Sequence, residues 1–176
     1  KEGYTFEGWF NKAGNEPWDF AANAVTANTA LYAKWQVKKH TVTFSVNDGN
    51  GVLTAQLDGN TFTTDTEVEY GKTVEFSATP DAGYAVDTWT ITGSAFEKNS
   101  GTDGSLTAKV KITKNTTVNV SFTKNSYTVS FDAKGGSPVP EAQTVSYNDK
   151  AASPEEPVKE GYTFEGWFNK AGNEPW

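Results

Sequence analysis

The 176-residue chain contains no cysteine and no methionine, and all of its 15 basic residues are lysine. Without cysteine there can be no disulfide, no thiolate nucleophile and no zinc-thiolate site. The 22 acidic residues give a formal net charge of -7 at pH 7. A nucleic-acid surface requires a basic stripe, whereas these lysines are dispersed among carboxylates and no arginine is present to grip phosphate. We therefore expect no nucleic-acid partner.

Long apolar runs are absent as well. No stretch approaches the length of a membrane-spanning helix, and no signal peptide is recognisable, so the sequence predicts no membrane insertion. The first residue is lysine rather than methionine. We expect a processed form or an excised fragment, with any export or anchoring signals lying outside it.

The chain contains a long internal repeat. Residues 1–18, KEGYTFEGWFNKAGNEPW, recur unchanged as residues 159–176. Self-similarity at a fixed spacing is typical of arrays in which one structural unit is copied along the chain. Such copying suits a spacer, a stalk or a multivalent binder, because each copy adds reach or avidity, and it adds little to a catalyst.

A weaker repeat lies inside the first. The pattern Gly-Tyr-x-x-x-x-Trp occurs three times and ends at Trp9, Trp89 and Trp167. Further along, residues 26–35 align without a gap on residues 113–122. These landmarks follow one another in the same order, which indicates a common unit.

The beginning of this unit is also repeated. Residues 40–44, HTVTF, parallel residues 127–131, YTVSF, and a turn-rich segment follows each of them. We therefore predict three modules: the second half of one in residues 1–38, a complete divergent one in residues 39–125, and the first part of a third in residues 126–176.

Apolar and polar residues alternate along several segments, as in Val42, Phe44 and Val46, whose intervening residues are polar. Period-two alternation predicts antiparallel sheet with one face on a core, and threonine, valine and aromatic residues favour strand. Short helical turns are predicted only at residues 154–158 and 17–23. We predict that residues 40–125 form one compact module, with these side chains on its buried side: Phe44, Val74, Phe76, Tyr84, Trp89, Val110, Val118, Val120 and Phe122.

The tryptophans invite a functional interpretation, because sugars stack on aromatic faces. Trp9, Trp89 and Trp167, however, occupy an equivalent position in every module, which favours packing in the core. Trp18 follows a proline in a loop-like segment, and we expect it to be the least completely buried.

Among the titratable residues, Glu67 and Glu69 project from one face of a strand, as an acid and base pair would, but an outer strand face gives the same pattern. Asp48 and Asp103 lie in glycine-rich turns without the alternating ligand series of a calcium loop. His40, the only histidine, stands at a junction between modules.

The other known signatures of chemistry are missing. No nucleophile elbow, phosphate loop or metal-binding spacing is present. The glycosylation sequon at Asn115 is explained equally well by a hairpin turn. The sequence thus predicts no enzyme, with no catalytic, cofactor-binding or metal-binding residues and no cofactor.

One family resembles these modules closely. Residues 127–136, YTVSFDAKGG, and residues 157–167, PVKEGYTFEGW, together with residues 18–20 and 29–35 of the first copy, resemble the Listeria-Bacteroides repeat, the B-repeat of internalin-type surface proteins. Residues 40–125 resemble the divergent version of that repeat.

The resemblance implies an α+β or mainly β fold of small β-grasp-like modules, similar to ubiquitin or SUMO, on the outside of a bacterium. It also implies that strand 116–123 lies beside strand 41–46 in parallel. The central module departs from the family pattern by a longer insert, residues 96–105, and by Phe122 in place of the terminal tryptophan.

These observations favour a non-enzymatic tandem module of a bacterial cell-surface or secreted protein, acting as a stalk or adhesive fibre segment. The alternative is a ligand-binding module that recognises a host protein or glycan through a sheet edge or the insert. The expected partners are neighbouring repeat modules. We expect residues 1–38 and 126–158 to complete each other head to tail between chains or covalent repeats, with Leu31, Tyr32 and Trp35 meeting Val129 and Phe131.

Overall fold

The structure is a computed structural model that describes residues 1–11, 16–169 and 175–176. The chain divides into two compact units, residues 1–123 and 124–176. The described residues form these strands: β1 (Tyr4–Phe10), β2 (Tyr32–Val37), β3 (Lys39–Val46), β4 (Gly51–Leu57), β5 (Asn60–Phe62), β6 (Thr66–Glu69), β7 (Thr73–Pro80), β8 (Tyr84–Thr92), β9 (Ala95–Phe96), β10 (Thr107–Lys111), β11 (Thr116–Lys124), β12 (Ser126–Val129) and β13 (Gln143–Ser146).

The described part of the chain contains no helix, so the fold is all-β and the α+β assignment is wrong. The β-grasp-like assignment fails with it, because no described helix lies across a sheet. The predicted helical turn at residues 154–158 is irregular chain, since a proline disfavours helix in the residue before it and lacks an N–H donor. Residues 17–23 form a turn in which the Asp19 carboxylate accepts the Ala21 N–H at 2.8 Å.

Residues 39–124 form two sheets. One has four strands in the order β6-β3-β11-β8, and the other has five in the order β5-β4-β7-β10-β9. Phe44 of the first sheet contacts Phe76 of the second edge to face, with ring centroids 5.8 Å apart. Apolar side chains of both sheets thus form one core, as alternation along each strand requires.

The predicted core is confirmed. Phe44 and Tyr84 are half-buried against it, and the other predicted side chains are buried: Val74, Phe76, Trp89, Val110, Val118, Val120 and Phe122.

The parallel pairing implied by the family resemblance is also confirmed. β3 and β11 run in parallel, with Val42 opposite Thr116 and Val46 opposite Val120. The start of β3 and the end of β11 therefore lie at opposite ends of the four-stranded sheet.

Each end of the chain forms a two-stranded antiparallel sheet. We call β1 and β2 the N-terminal half-sheet and β12 and β13 the C-terminal half-sheet. The division into three modules with boundaries at residues 38 and 125 stays a prediction.

The N-terminal half-sheet is joined to the central strands at Tyr70. The Lys38 N–H donates to the Gly3 carbonyl and the Tyr70 N–H donates to the Lys38 carbonyl, both at 2.8 Å. The Tyr70 hydroxyl donates to Glu2 at 2.6 Å, and this hydrogen bond, with partial desolvation and the nearby carboxylate charge, raises the pKa of the phenol.

Candidate functional site

An aromatic cluster lies open on the N-terminal half-sheet. The Phe6 ring is 5.8 Å from Trp9 and 5.2 Å from Trp35, measured between centroids. The three residues are 44%, 43% and 37% exposed. Residues three apart on a regular strand point to opposite faces, but a β-bulge between Phe6 and Gly8 inserts one extra residue and brings Phe6 and Trp9 together. We call Phe6, Trp9 and Trp35 the N-terminal cluster.

A second aromatic cluster lies in the C-terminal unit. The Trp167 ring is 5.1 Å from Phe131 and 5.5 Å from Phe164, again between centroids. These rings line a groove of about 790 Å³. We call Phe131, Phe164 and Trp167 the C-terminal cluster. Both clusters are apolar surfaces of the kind that mark interaction sites.

The tryptophan prediction is only partly correct. Trp89 is buried, and its indole N–H donates to the Ser105 carbonyl at 2.8 Å. Trp9 is exposed and Trp167 is half-buried, although all three hold the same place in the repeat. Trp18 is half-buried and thus better covered than Trp9. Burial at this position therefore depends on whether the rest of the sheet is present.

The carboxylates considered in the sequence analysis lie in different surroundings. Glu67 and Glu69 are exposed on β6, which pairs with β3. Asp48 accepts the Phe122 N–H at 2.7 Å and so joins a turn to β11. Asp103 lies exposed in a turn. Within residues 1–11, 16–169 and 175–176, no group of three or more metal-binding side chains is found.

The side chain of Asn115 spans two strands. Its amide oxygen accepts the Thr41 N–H at 3.1 Å, beside the parallel pair of strands. The sequence predicted a hairpin turn at Asn115 but not this hydrogen bond to Thr41. The signal that could have indicated a structural role for Asn115 is its alignment with Asn28. His40 is half-buried, with its ring centroid 6.2 Å from that of Tyr70, so it packs at the junction.

The insert of residues 96–105 is fastened to the core. Phe96 contacts Trp89 edge to face at 6.4 Å. The Glu97 N–H donates to the Lys109 carbonyl at 2.8 Å, and the Gly104 N–H donates to the Asp87 carbonyl at 3.0 Å. This segment is part of the module rather than a free recognition loop.

Two family models match the chain. Residues 1–34 and 127–176 match the Listeria-Bacteroides repeat domain. Residues 53–126 match the divergent InlB B-repeat domain. In the part of the chain that the structure describes, no helix is long and apolar enough to cross a membrane.

Several curated proteins are similar to the chain. A protein of Evansella cellulosilytica named as a Gly-rich membrane protein is 31% identical over 183 residues, which cover all of this chain and 19% of the relative. A second protein of that organism, named as a membrane protein, is 32% identical over 96% of the chain and 23% of its own length.

Internalin H of Listeria monocytogenes is 35% identical over 89 residues, which cover 50% of this chain and 16% of the relative. The chain thus spans about a fifth of the length of the curated relatives it matches. No solved structure matches it.

Proposed function

We propose that the chain acts as a non-enzymatic spacer. It consists of a Listeria-Bacteroides repeat domain and a divergent InlB B-repeat domain, and such domains are typical of bacterial surface proteins. In this role it forms a stalk or adhesive fibre segment of a cell-surface or secreted protein. The names of its relatives, membrane proteins and an internalin, are in keeping with that location.

The observation that carries the proposal is the parallel pairing of β3 and β11. The chain enters the central sheet at Lys39 and leaves it at Lys124. Because the two strands run in the same direction, entry and exit lie at opposite ends of the sheet. Nine residues of strand span about 30 Å, so every inserted copy adds length to the array.

The chemistry of the surface supports the same function. The described carboxylates are exposed, apart from that of Glu97, which is half-buried and accepts a hydrogen bond from the Thr73 hydroxyl at 2.8 Å. Five ion pairs are present among the described residues, all between partly or largely exposed side chains. Such pairs contribute little to stability and suit a solvated outer surface.

The proposal is tested by chains that carry one and two additional copies of residues 39–125. Small-angle X-ray scattering measures their largest dimension. We expect an increase of about 35 Å for each inserted copy, because Lys39 lies three residues before Val42 and Lys124 lies eight residues after its partner Thr116. An increase of only a few ångströms would mean that copies fold back on one another, and the spacer function would be wrong.

The alternative function is recognition of a host protein or glycan. The open aromatic clusters favour it, whereas the fastened insert of residues 96–105 does not. An array of host proteins and glycans probed with the whole chain distinguishes the two functions. Saturable binding that is lost on Trp9→Ala replacement would favour recognition over a purely mechanical function.

A further inference from the structure

The first and last strands of the central module carry the chain into it and out of it. β3 begins at Lys39 and β11 ends at Lys124. Because the two strands pair in parallel, these two points lie at opposite ends of the sheet, about 35 Å apart. Tension transmitted along the backbone therefore pulls β3 and β11 past each other along their own axes.

The direction of loading decides how much force a pair of strands resists. Strands that are pulled apart sideways from one end lose their hydrogen bonds one after another, so each step meets the resistance of a single bond. Strands that are pulled lengthwise in opposite directions load all of the bonds between them at once. Forced unfolding is governed by the barrier to unfolding rather than by equilibrium stability, and simultaneous loading raises that barrier.

The backbone ladder between the two strands is sheltered. It joins residues 42–46 to residues 116–120 and lies in the middle of the four-stranded sheet, between β6 and β8. On the core side, Val42, Val118 and Val120 are all 0% exposed. Water therefore cannot reach the ladder from that face, and a hydrogen bond is electrostatically stronger where water is excluded.

Side chains extend the contact between β3 and β11. The Asn115 amide oxygen accepts the Thr41 N–H at 3.1 Å, just before the ladder begins. Within the ladder, the Ser45 hydroxyl donates to the Asn119 amide oxygen at 2.7 Å. The partners in both bonds are 74 residues apart, which is also the spacing of opposed residues in the ladder. Both bonds therefore cross the two strands and are loaded together with the backbone.

Two further hydrogen bonds lie beyond the other end of the ladder. The Asn47 N–H donates to the Val120 carbonyl at 3.0 Å, and the Asp48 carboxylate accepts the Phe122 N–H at 2.7 Å. A hydrogen bond to a charged acceptor is stronger than one between neutral groups. The turn after β3 is thus fastened to the last strand, so lengthwise sliding of β3 must break bonds on both sides of the ladder.

We propose that the central module is a load-bearing element that resists stretching of the protein. Residues 41–48 and 115–122, which we call the shear clamp, bear the load through the ladder and the side-chain bonds that cross it. The five-stranded sheet lies outside the direct path of the force, because neither Lys39 nor Lys124 belongs to it.

The load-bearing function rests on the proposed spacer, since a stalk held at both ends carries tension, but the two fail separately. The length that each inserted copy adds is measured without load. Copies that fold back on one another would contradict the spacer and leave the resistance of one module unchanged. A module that yields easily under lengthwise force would contradict the shear clamp and leave the added length unchanged.

The first test pulls the whole chain from defined points by single-molecule force spectroscopy. The chain has no cysteine, so handles attach only at introduced thiols. Lys39→Cys with Lys124→Cys loads the shear clamp lengthwise, whereas Lys39→Cys with Lys114→Cys pulls the same two strands apart from one end. All three lysines are exposed.

For the lengthwise pair we expect a single unfolding event that releases about 250–275 Å of chain, the extended length of residues 39–124 less their folded separation. The peak force should be higher than for the pair that pulls from one end. Equal peak forces for the two pairs, or a lower force for the lengthwise pair, would overturn the proposal.

The second test separates resistance to force from equilibrium stability. Asn115→Ala removes the acceptor of the Thr41 N–H. Under constant lengthwise load it should raise the unfolding rate about 2- to 12-fold, the effect of one hydrogen bond that is lost before the barrier. Asn115→Asp keeps an acceptor oxygen and is expected to unfold no faster than the wild-type chain.

A matched control lies in the other sheet. The Thr73 hydroxyl on β7 donates to Glu97 at 2.8 Å, outside the shear clamp. Thr73→Val should lower the free energy of unfolding in urea yet leave the unfolding rate under lengthwise load unchanged. The assignment is wrong if Thr73→Val accelerates forced unfolding as much as Asn115→Ala does, or if Asn115→Ala does not accelerate it.

Discussion

Replacing Gly3 by alanine tests whether the N-terminal half-sheet is locked to the central strands through Tyr70. Gly3 has φ +73°, and a methyl group there would lie 2.0 Å from a carbon of the Tyr70 ring. The ring cannot move aside without losing its hydrogen bond to Glu2. The substitution therefore combines backbone strain with steric overlap.

The expected size follows from the two effects. A left-handed conformation costs a non-glycine residue about 1–2 kcal/mol. Forcing an extra methyl group into an occupied space typically costs about 1–3 kcal/mol more. In a Tyr70→Ala background only the first cost remains, so the coupling between the two substitutions should be about 1–3 kcal/mol.

Hydrogen exchange of the Lys38 N–H reports this opening, because that group donates to the Gly3 carbonyl. The steric part alone should reduce its protection roughly 5- to 150-fold. Gly161→Ala, in the identical sequence of the second copy, has open space around the new methyl group and should leave Lys38 unchanged. Equal effects of Gly3→Ala with and without the Tyr70 ring would refute the reasoning.

Three further outcomes are expected. Phe76→Ala removes a fully buried ring and should lower the free energy of unfolding by about 3–5 kcal/mol in urea denaturation, with an unchanged denaturant slope. Thr116→Val leaves the Ser94 N–H without its hydroxyl acceptor and should cost about 1–3 kcal/mol in the same assay. The phenol pKa of Tyr70 is raised, chiefly by its hydrogen bond to Glu2. The stabilisation from this protonated phenol is therefore complete below the unfolded pKa of about 10 and is lost as pH rises through the higher folded pKa. Glu2→Gln should lower that pKa in an ultraviolet titration of the phenol.

The core of the central module was predictable because the sequence pattern that identifies it lies within each strand. Alternation marks the buried face of each strand without knowledge of its neighbours, and the predicted core side chains are buried or half-buried. The short strands β5 and β9 contain three and two residues, too few for a periodicity to show. Their existence depends on pairing with β4 and β10 rather than on their own sequence.

The helical turns were wrong for a related reason. Pro154 and Pro157 enclose two glutamates, a composition that helix starts share with irregular chain. Propensity alone does not separate these states, because most helical stability comes from packing an apolar face.

The aromatic surfaces could not be predicted from residue type. The sequence placed the equivalent tryptophans in a core, and that holds for Trp89, whose module has all four strands of its sheet. Trp9 holds the same place in the Gly-Tyr-x-x-x-x-Trp pattern, but its sheet has only two strands. Periodicity tells which face is apolar and does not tell whether another element covers it.

The verbatim repeat shows which structural features follow from the local sequence and which depend on the rest of the chain. The Trp18 N–H donates to the Trp9 carbonyl at 2.7 Å, and the Trp176 N–H donates to the Trp167 carbonyl at 2.9 Å, so this turn forms in both copies. The strand before it forms only where β2 is present. Eighteen identical residues thus fix the turn, whereas the strand needs a pairing partner, which β2 supplies to β1. We therefore expect that, in a longer array of such repeats, strand pairing supplies most of the interaction energy between neighbouring copies.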